Sequence, residues 1–300
     1  MKTEANNIKK PKETRLKVNE PTDLMTFLLA KMGGMKRNSI KALLSHRQVL
    51  VNDQIVTLYN YELKRNDTVT VSSERGNTEL LNNKVKIIFE DSYLIVVEKK
   101  EGILTVKTDN GNETTVFSIL KNHVQKSSKY HKIYTVHRLD RETSGVLVFA
   151  KSNEVKNALQ DTWHTDVKRR VYVAVVEGEM EKKEETIKSW LTENEKSLKI
   201  HSSPVDNGGQ EAVTHYRVIK SNKEYSLLEI ELETGRKNQI RVHLQSVNHP
   251  IAGDKKYDAK TNPLGRVALH ARILEFIHPV TGKIVRFETP VPRKFLHLFH

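Results

Sequence analysis

Between residues 85 and 287 the chain is dominated by short runs of Val, Ile and Leu, and most of these runs follow one another with no helix-length segment between them. They are Val85–Phe89, Leu94–Val97, Val146–Ala150, Val171–Val176, Val213–Val218, Leu227–Leu232, Ile273–Ile277 and Ile284–Phe287. Short β-branched runs bounded by turn residues read as strands. A parallel pair needs a crossover of about a dozen residues, usually a helix, between its strands. The scarcity of such crossovers predicts an α+β fold with a mixed, largely antiparallel sheet flanked by helices and loops. Helical spacing is confined to Thr115–Val124, Asn153–His164 and Gln239–Val247 in this region.

The front of the chain reads differently. Residues 1–14 are polar and lysine-rich and are expected to form a flexible basic tail. Pro21-Thr22-Asp23 suits a helix start, with Leu24, Phe27 and Leu28 at helical spacing until Met32-Gly33-Gly34-Met35 interrupts. A second helix is expected to begin near Asn38 or Ser39, with Ile40, Leu43 and Leu44 as its apolar stripe. Val49-Leu50-Val51 and Ile55-Val56 flank a turn at Asn52-Asp53-Gln54, and Thr68–Val71 makes another strand. Residues 15–72 therefore read as a small helix–helix–β module, 73–83 as a linker, and 84–300 as a larger domain.

The formal net charge is +13 and the pI about 9.6, which favours a polyanionic partner. Lys31, Lys36, Arg37, Lys41 and Arg47 fall within one stretch that holds no acidic residue. They lie on the inter-helix turn and second helix, away from the Ile40/Leu43/Leu44 stripe, where a helix N-terminus can bind phosphate. A solvated helix face is what most such runs are, but the lack of any balancing acid here favours phosphate contact. The absence of cysteine excludes disulfides and thiol nucleophiles. Thirteen histidines come with no HExxH spacing, and no Walker or Rossmann glycine pattern occurs, so neither a metal nor a nucleotide cofactor is expected. Asn112-Glu113-Thr114 matches a glycosylation acceptor, which an intracellular chain does not use. No signal-type apolar segment opens the sequence and no run approaches the roughly 18 apolar residues of a membrane span. A monomeric cytoplasmic protein is the expectation.

The string His137-Arg138-Leu139-Asp140-Arg141-Glu142-Thr143-Ser144-Gly145 places a carboxylate between two arginines, in a turn entering an apolar strand. Neighbouring cations favour an ionised carboxylate, ready to attack or to accept a proton. By itself the string fits a structural Arg–Asp pair equally well.

HRLDRETSG resembles the signature of the RluA-type pseudouridine synthases, which modify uridines in ribosomal and transfer RNA. The resemblance implies that Asp140 is the catalytic carboxylate and that Arg138 helps evict the target nucleotide and fills its place in the stack. Arg170–Gly178 resembles the family's Y-x-A-x-V-x-G strand, which sets Tyr172 against the flipped uracil as a stacking partner or base. Thr234–His243 resembles T-G-R-x-x-Q-I-R-x-H, implying that Arg241 pairs with the catalytic Asp; the common Thr-His is Lys237-Asn238 here. Pro250–Asp254 and Leu269-His270-Ala271 also match family positions, with Leu269 implied as pocket wall. Residues 15–72 resemble the small αL-type RNA-binding domain first described in ribosomal small-subunit protein four, with its basic turn and V-x-V-N-x hairpin.

These resemblances imply an RNA partner, ribosomal RNA in preference to transfer RNA. They also imply an isomerisation that detaches uracil at N1 and rejoins it through C5. Every heavy atom of the substrate is kept, so no cofactor is required. The carboxylate can attack the sugar or the base, or take a sugar proton; the residues leave these routes open. The competing expectations are a ribosome-binding or assembly factor with an inactive synthase domain, and a hydrolase that frees uracil.

Overall fold

The computed structural model describes residues 13–45, 48–52, 54–56, 58–72, 80–107, 113–126 and 128–299. Two sheets with separate cores carry the fold, together with a two-residue pairing of Thr22–Asp23 with Glu62–Leu63.

The smaller sheet is four-stranded and antiparallel, in the order Glu13–Lys17, Thr68–Ser72, Val49–Val51, Gln54–Ile55. Helix Leu24–Lys31 starts where expected: Asp23 caps it by accepting the Thr26 N–H at 2.9 Å. The second helix, Arg37–Ser45, begins one to two residues earlier than the capping residues suggest. Its Ile40 and Leu44 bury against Leu24, Leu28, Val49 and Val69. Glu13 and Thr14, read as tail, instead pair with Ser72 and Val71, and residues 1–12 lie outside the described ones.

The larger sheet has twelve strands. Along its path run Ile200–Ser203, Glu184–Glu193, Gln210–Ser221, Tyr225–Leu232, Val167–Glu177, Leu269–Ile277, Ser144–Ala150, Leu94–Lys99, Val85–Glu90 and Leu80–Asn82. Two further strands, Tyr134–Thr135 and Ile284–Glu288, pair alongside. All its pairs are antiparallel except Ser144–Ala150 with Leu269–Ile277. The mixed, largely antiparallel α+β architecture is therefore present. Leu80–Asn82, expected as linker, is an edge strand, and residues 73–79 lie outside the described ones. The helix expected over Asn153–His164 divides into Asn153–Asp161 and Trp163–Asp166. No helix among the described residues is long and apolar enough to cross a membrane.

The single parallel pair sets the location of the site. Gly145, at φ +121°, lies opposite Ala271, and a Cβ there would sit 2.0 Å from the Ala271 carbonyl oxygen. Only glycine allows the strands to approach this closely, just where the His137–Thr143 loop joins the sheet.

Candidate active site

Several groups grip that loop by its main chain and by its junction with the strand. Lys99 is fully buried and donates to the carbonyls of Lys100 and Arg141, each at 3.1 Å, and of Thr143 at 2.6 Å. Burial, reinforced by Arg266 and opposed by Glu142, Asp140 and Glu101, lowers its pKa to about 7. The Thr105 hydroxyl donates to the Leu139 carbonyl at 2.7 Å and accepts its N–H at 3.1 Å. Arg266 donates to Glu142 O at 3.3 Å and to Ser144 Oγ at 2.9 Å, and pairs with Glu101 at 2.5 Å. Ser144 Oγ also lies 2.8 Å from Nδ1 of His270. Such supports fix a reactive side chain better than its own turn could.

The loop borders a cleft of about 420 Å³. Arg138, Asp140, Tyr172, Arg241 and Leu269, drawn from four separated stretches of sequence, all line it. Asp140 is the sole carboxylate among the described lining residues, facing Arg138, Arg236, Lys237 and Arg241.

Arg241 stands on helix Gln239–Ser246, entered from a tight turn organised by Gln239. The side-chain Oε1 of Gln239 accepts from the Thr234 hydroxyl at 2.8 Å and the Arg236 N–H at 2.9 Å. Arg241 Nη1 donates to Asp140 Oδ2 at 3.3 Å, the pairing implied from the sequence. Its tighter partner is one the sequence reading gave no role. Nε and Nη2 donate to the two oxygens of buried Asp254 at 2.6 and 2.7 Å, a bidentate clamp. Burial works against the Arg241 charge, but hydrogen bonding and charge from Asp254, then the charge of Asp140, outweigh it and raise its pKa. The guanidinium also packs 5.0 Å from the centroid of Tyr257. The Pro250–Asp254 string marked this stretch, but nothing in it indicated the contact.

Asn238, at the position where the resemblance implies a His, is part of the same arrangement. It adopts the left-handed conformation at φ 55°, which Asn tolerates well. Its Oδ1 accepts from Arg241 Nη1 at 3.3 Å and its Nδ2 donates to the Tyr257 hydroxyl at 2.9 Å.

Other expectations need correcting. Arg141, expected to flank Asp140 electrostatically, pairs with Glu113 at the surface. The cleft is open: the Asp140 side chain is 34 % exposed, so the pocket is not dry without a ligand. Arg138 is exposed at the cleft and enters no ion pair among the described residues. Burial raises the Tyr172 pKa, partly offset by Arg170 and assisted by Asp140. Lys31, Lys36, Arg37 and Lys41 are all exposed, with no acidic partner among the described residues. Arg47 lies outside the described residues.

Residues 93–246 match the family described as RNA pseudouridylate synthase, and residues 24–69 match the S4 domain. An uncharacterized RNA pseudouridine synthase of Bacillus subtilis, YhcT, is 36% identical over 261 residues, covering 85% of each chain. Ribosomal large subunit pseudouridine synthase D of Nitrosomonas europaea is 39% identical over 221 residues, 69% of this chain and 62% of that one. The solved structure of human RNA pseudouridylate synthase domain containing 4 superposes with a TM-score of 0.58 at 24% identity, covering 70% of this chain and 90% of that one, a likeness of fold.

Proposed function

Because this chain belongs to the RNA pseudouridylate synthase family, we propose that it isomerises uridine in large-subunit ribosomal RNA, with Asp140 as the catalytic carboxylate. The observation that carries this reading is Asp140 reaching Arg241 at 3.3 Å in a cleft also lined by Tyr172 and Leu269. The ribosomal preference draws on the large-subunit synthase D relative and on the S4 match.

The target uridine leaves its stack, which costs a few kcal/mol, least for a base already in a loop. The free guanidinium of Arg138 occupies the gap, and Tyr172 stacks on the extruded uracil, contributing about 1–3 kcal/mol per stacked base. With its pKa raised by burial, Tyr172 keeps its proton, which favours stacking over a role as base. The Asp254 clamp aims Arg241, which holds Asp140 in position as the N1–C1′ bond breaks and the C5–C1′ bond forms, the C5 proton leaving and N1 taking one up. RNA seated over the cleft excludes the water that reaches Asp140 in its absence, strengthening the pairing. The four exposed cations of the front module hold the phosphate backbone of a folded RNA.

Mapping pseudouridines in RNA from cells with and without the protein tests the reading. One or a few large-subunit uridines should lose the modification, and purified protein should release tritium from C5-labelled uridine in that RNA. Binding without tritium release would favour an assembly factor, and free uracil would indicate hydrolysis.

A further inference from the structure

A second pocket, of about 300 Å³, adjoins the cleft at Gly235 and Arg236, which line both. His137, Trp163, His164 and Arg170 form much of the rest of its wall, and no acidic residue lines it among the described residues. His137 and Arg138 are consecutive, yet the first lines this pocket and the second lines the cleft. The two spaces are thus neighbours across the Asp140 loop on one side and Gly235 on the other.

Each part of this wall has a physical reason. A Cβ on Gly235 would lie 2.5 Å from Arg170 Nη1, so a larger residue there would displace the guanidinium from its present place in the pocket wall. Arg170 Nη2 is anchored on the Glu233 carbonyl at 2.7 Å. His137 Nε2 accepts the Val148 N–H at 3.2 Å, which places the ring proton on Nδ1. No acceptor for that Nδ1–H occurs among the described residues. Burial, with a smaller push from Arg170, lowers the His137 pKa to about 3, so the ring is a neutral donor. Trp163 packs on it with centroids 4.9 Å apart.

An aromatic surface, a neutral N–H donor and two guanidiniums, with no carboxylate to repel an anion, suit one nucleotide. The indole can stack on a base, the imidazole can donate to a base or sugar oxygen, and a guanidinium can hold phosphate. We propose that this pocket receives the nucleotide adjoining the target uridine in the substrate RNA, its base against Trp163 and its phosphate on Arg236. The subsite rests on the isomerase reading and makes turnover depend on the neighbour of the uridine as well as on the uridine.

Trp163 and Trp190 are the two tryptophans of the chain, so Trp190→Phe leaves Trp163 as sole reporter. The full-length variant is titrated with a stem-loop RNA whose uridine the wild-type protein isomerises. Two further stem-loops are abasic at the nucleotide 5′ or 3′ of that uridine. Intact RNA should quench Trp163 emission. One abasic RNA should bind about 5- to 100-fold more weakly and leave the emission unchanged, while the other behaves as intact.

Trp163→Leu should bind intact and abasic RNA equally, and Trp163→Phe should keep part of the difference, which separates lost stacking from lost fold. Equal quenching and affinity for all three RNAs would overturn the subsite, as would wild-type discrimination by Trp163→Leu; Trp163 would then be packing for His137 alone. Either result is obtained on RNA that the protein converts, so the isomerase reading survives it. Failure to convert any RNA would remove that reading, and the subsite with it.

Discussion

The Asp140 cleft and the basic turn of the front module both present cations, but they hold them in opposite ways. In the cleft, Arg241 is buried, clamped on both oxygens of Asp254 and steadied by Asn238 and Tyr257. In the turn, Lys31, Lys36, Arg37 and Lys41 project into solvent without acidic partners among the described residues. The first arrangement fixes one nitrogen at one distance from one carboxylate. The second supplies charge that tolerates many orientations and is screened by salt. Chemistry requires the former, and grip on a polyanion needs only the latter.

The difference can be broken most forcefully at Asp254. Asp254→Ala leaves a buried guanidinium with half of its four hydrogen bonds, a change that costs about 3–5 kcal/mol. Conversion should fall at least about 100-fold in kcat/KM, equally in low and high salt, as single-turnover assays at two ionic strengths would show. Salt-sensitive loss would mean that Arg241 acts as diffuse charge.

Acid should expose the buried scaffold next. Burial depresses the pKa of His137 to about 3 and of His243 and His270 to about 4. The unfolded chain takes up these protons near pH 6.5 while the folded chain does not. Stability is therefore fully present above about 6.5 and declines as pH falls toward about 4, with a slope of up to about 1.4 kcal/mol per pH unit for each histidine. His243→Gln, at a residue outside the cleft lining, should make denaturation midpoints less steep in pH by about one proton. An unchanged slope would contradict the buried neutral ring.

Asn238 offers a finer adjustment. Asn238→Gly keeps the left-handed backbone and removes both side-chain hydrogen bonds, each worth about 1 kcal/mol. A drop of about 5- to 30-fold in kcat with little change in KM is expected. Asn238→Ala should lose more because of backbone strain. A change in KM alone would place Asn238 in RNA contact and not in Arg241 alignment.

The basic turn should give the smallest single effects. Lys36→Gln, Arg37→Gln or Lys41→Gln should each weaken RNA binding only a few-fold, leave kcat unchanged, and reduce the slope of log affinity against log salt by about 1. An unaltered slope in all three would remove the front module from phosphate contact.

What the sequence disclosed divides along the same line. Strand runs marked most of the larger sheet, and the HRLD string together with the strings at Arg170–Gly178, Thr234–His243 and Leu269–Ala271 pointed to the five cleft residues, because local pattern and motif order carry that information. Glu184–Glu193 escaped notice because its alternation buries only Ile187, Ser189 and Leu191 among charged neighbours. Lys99 falls beyond the expected strand Leu94–Val97 and drew no reading from the sequence. Continuing the period of two from Ile95 and Val97 would have pointed it inward, but two of the three carbonyls that receive it lie more than forty residues away. Arg241 was paired correctly with Asp140, yet its stronger bond to Asp254 depends on three-dimensional approach alone. Arg141 shows the converse: adjacency to Asp140 in sequence did not become contact.

The decisive measurement is pseudouridine formation by Asp140→Asn under single-turnover conditions, beside its affinity for the same RNA. Affinity within about threefold of wild type, with conversion reduced at least about ten-thousandfold, is the predicted result. Conversion at a rate near wild type would show that the chemistry resides elsewhere.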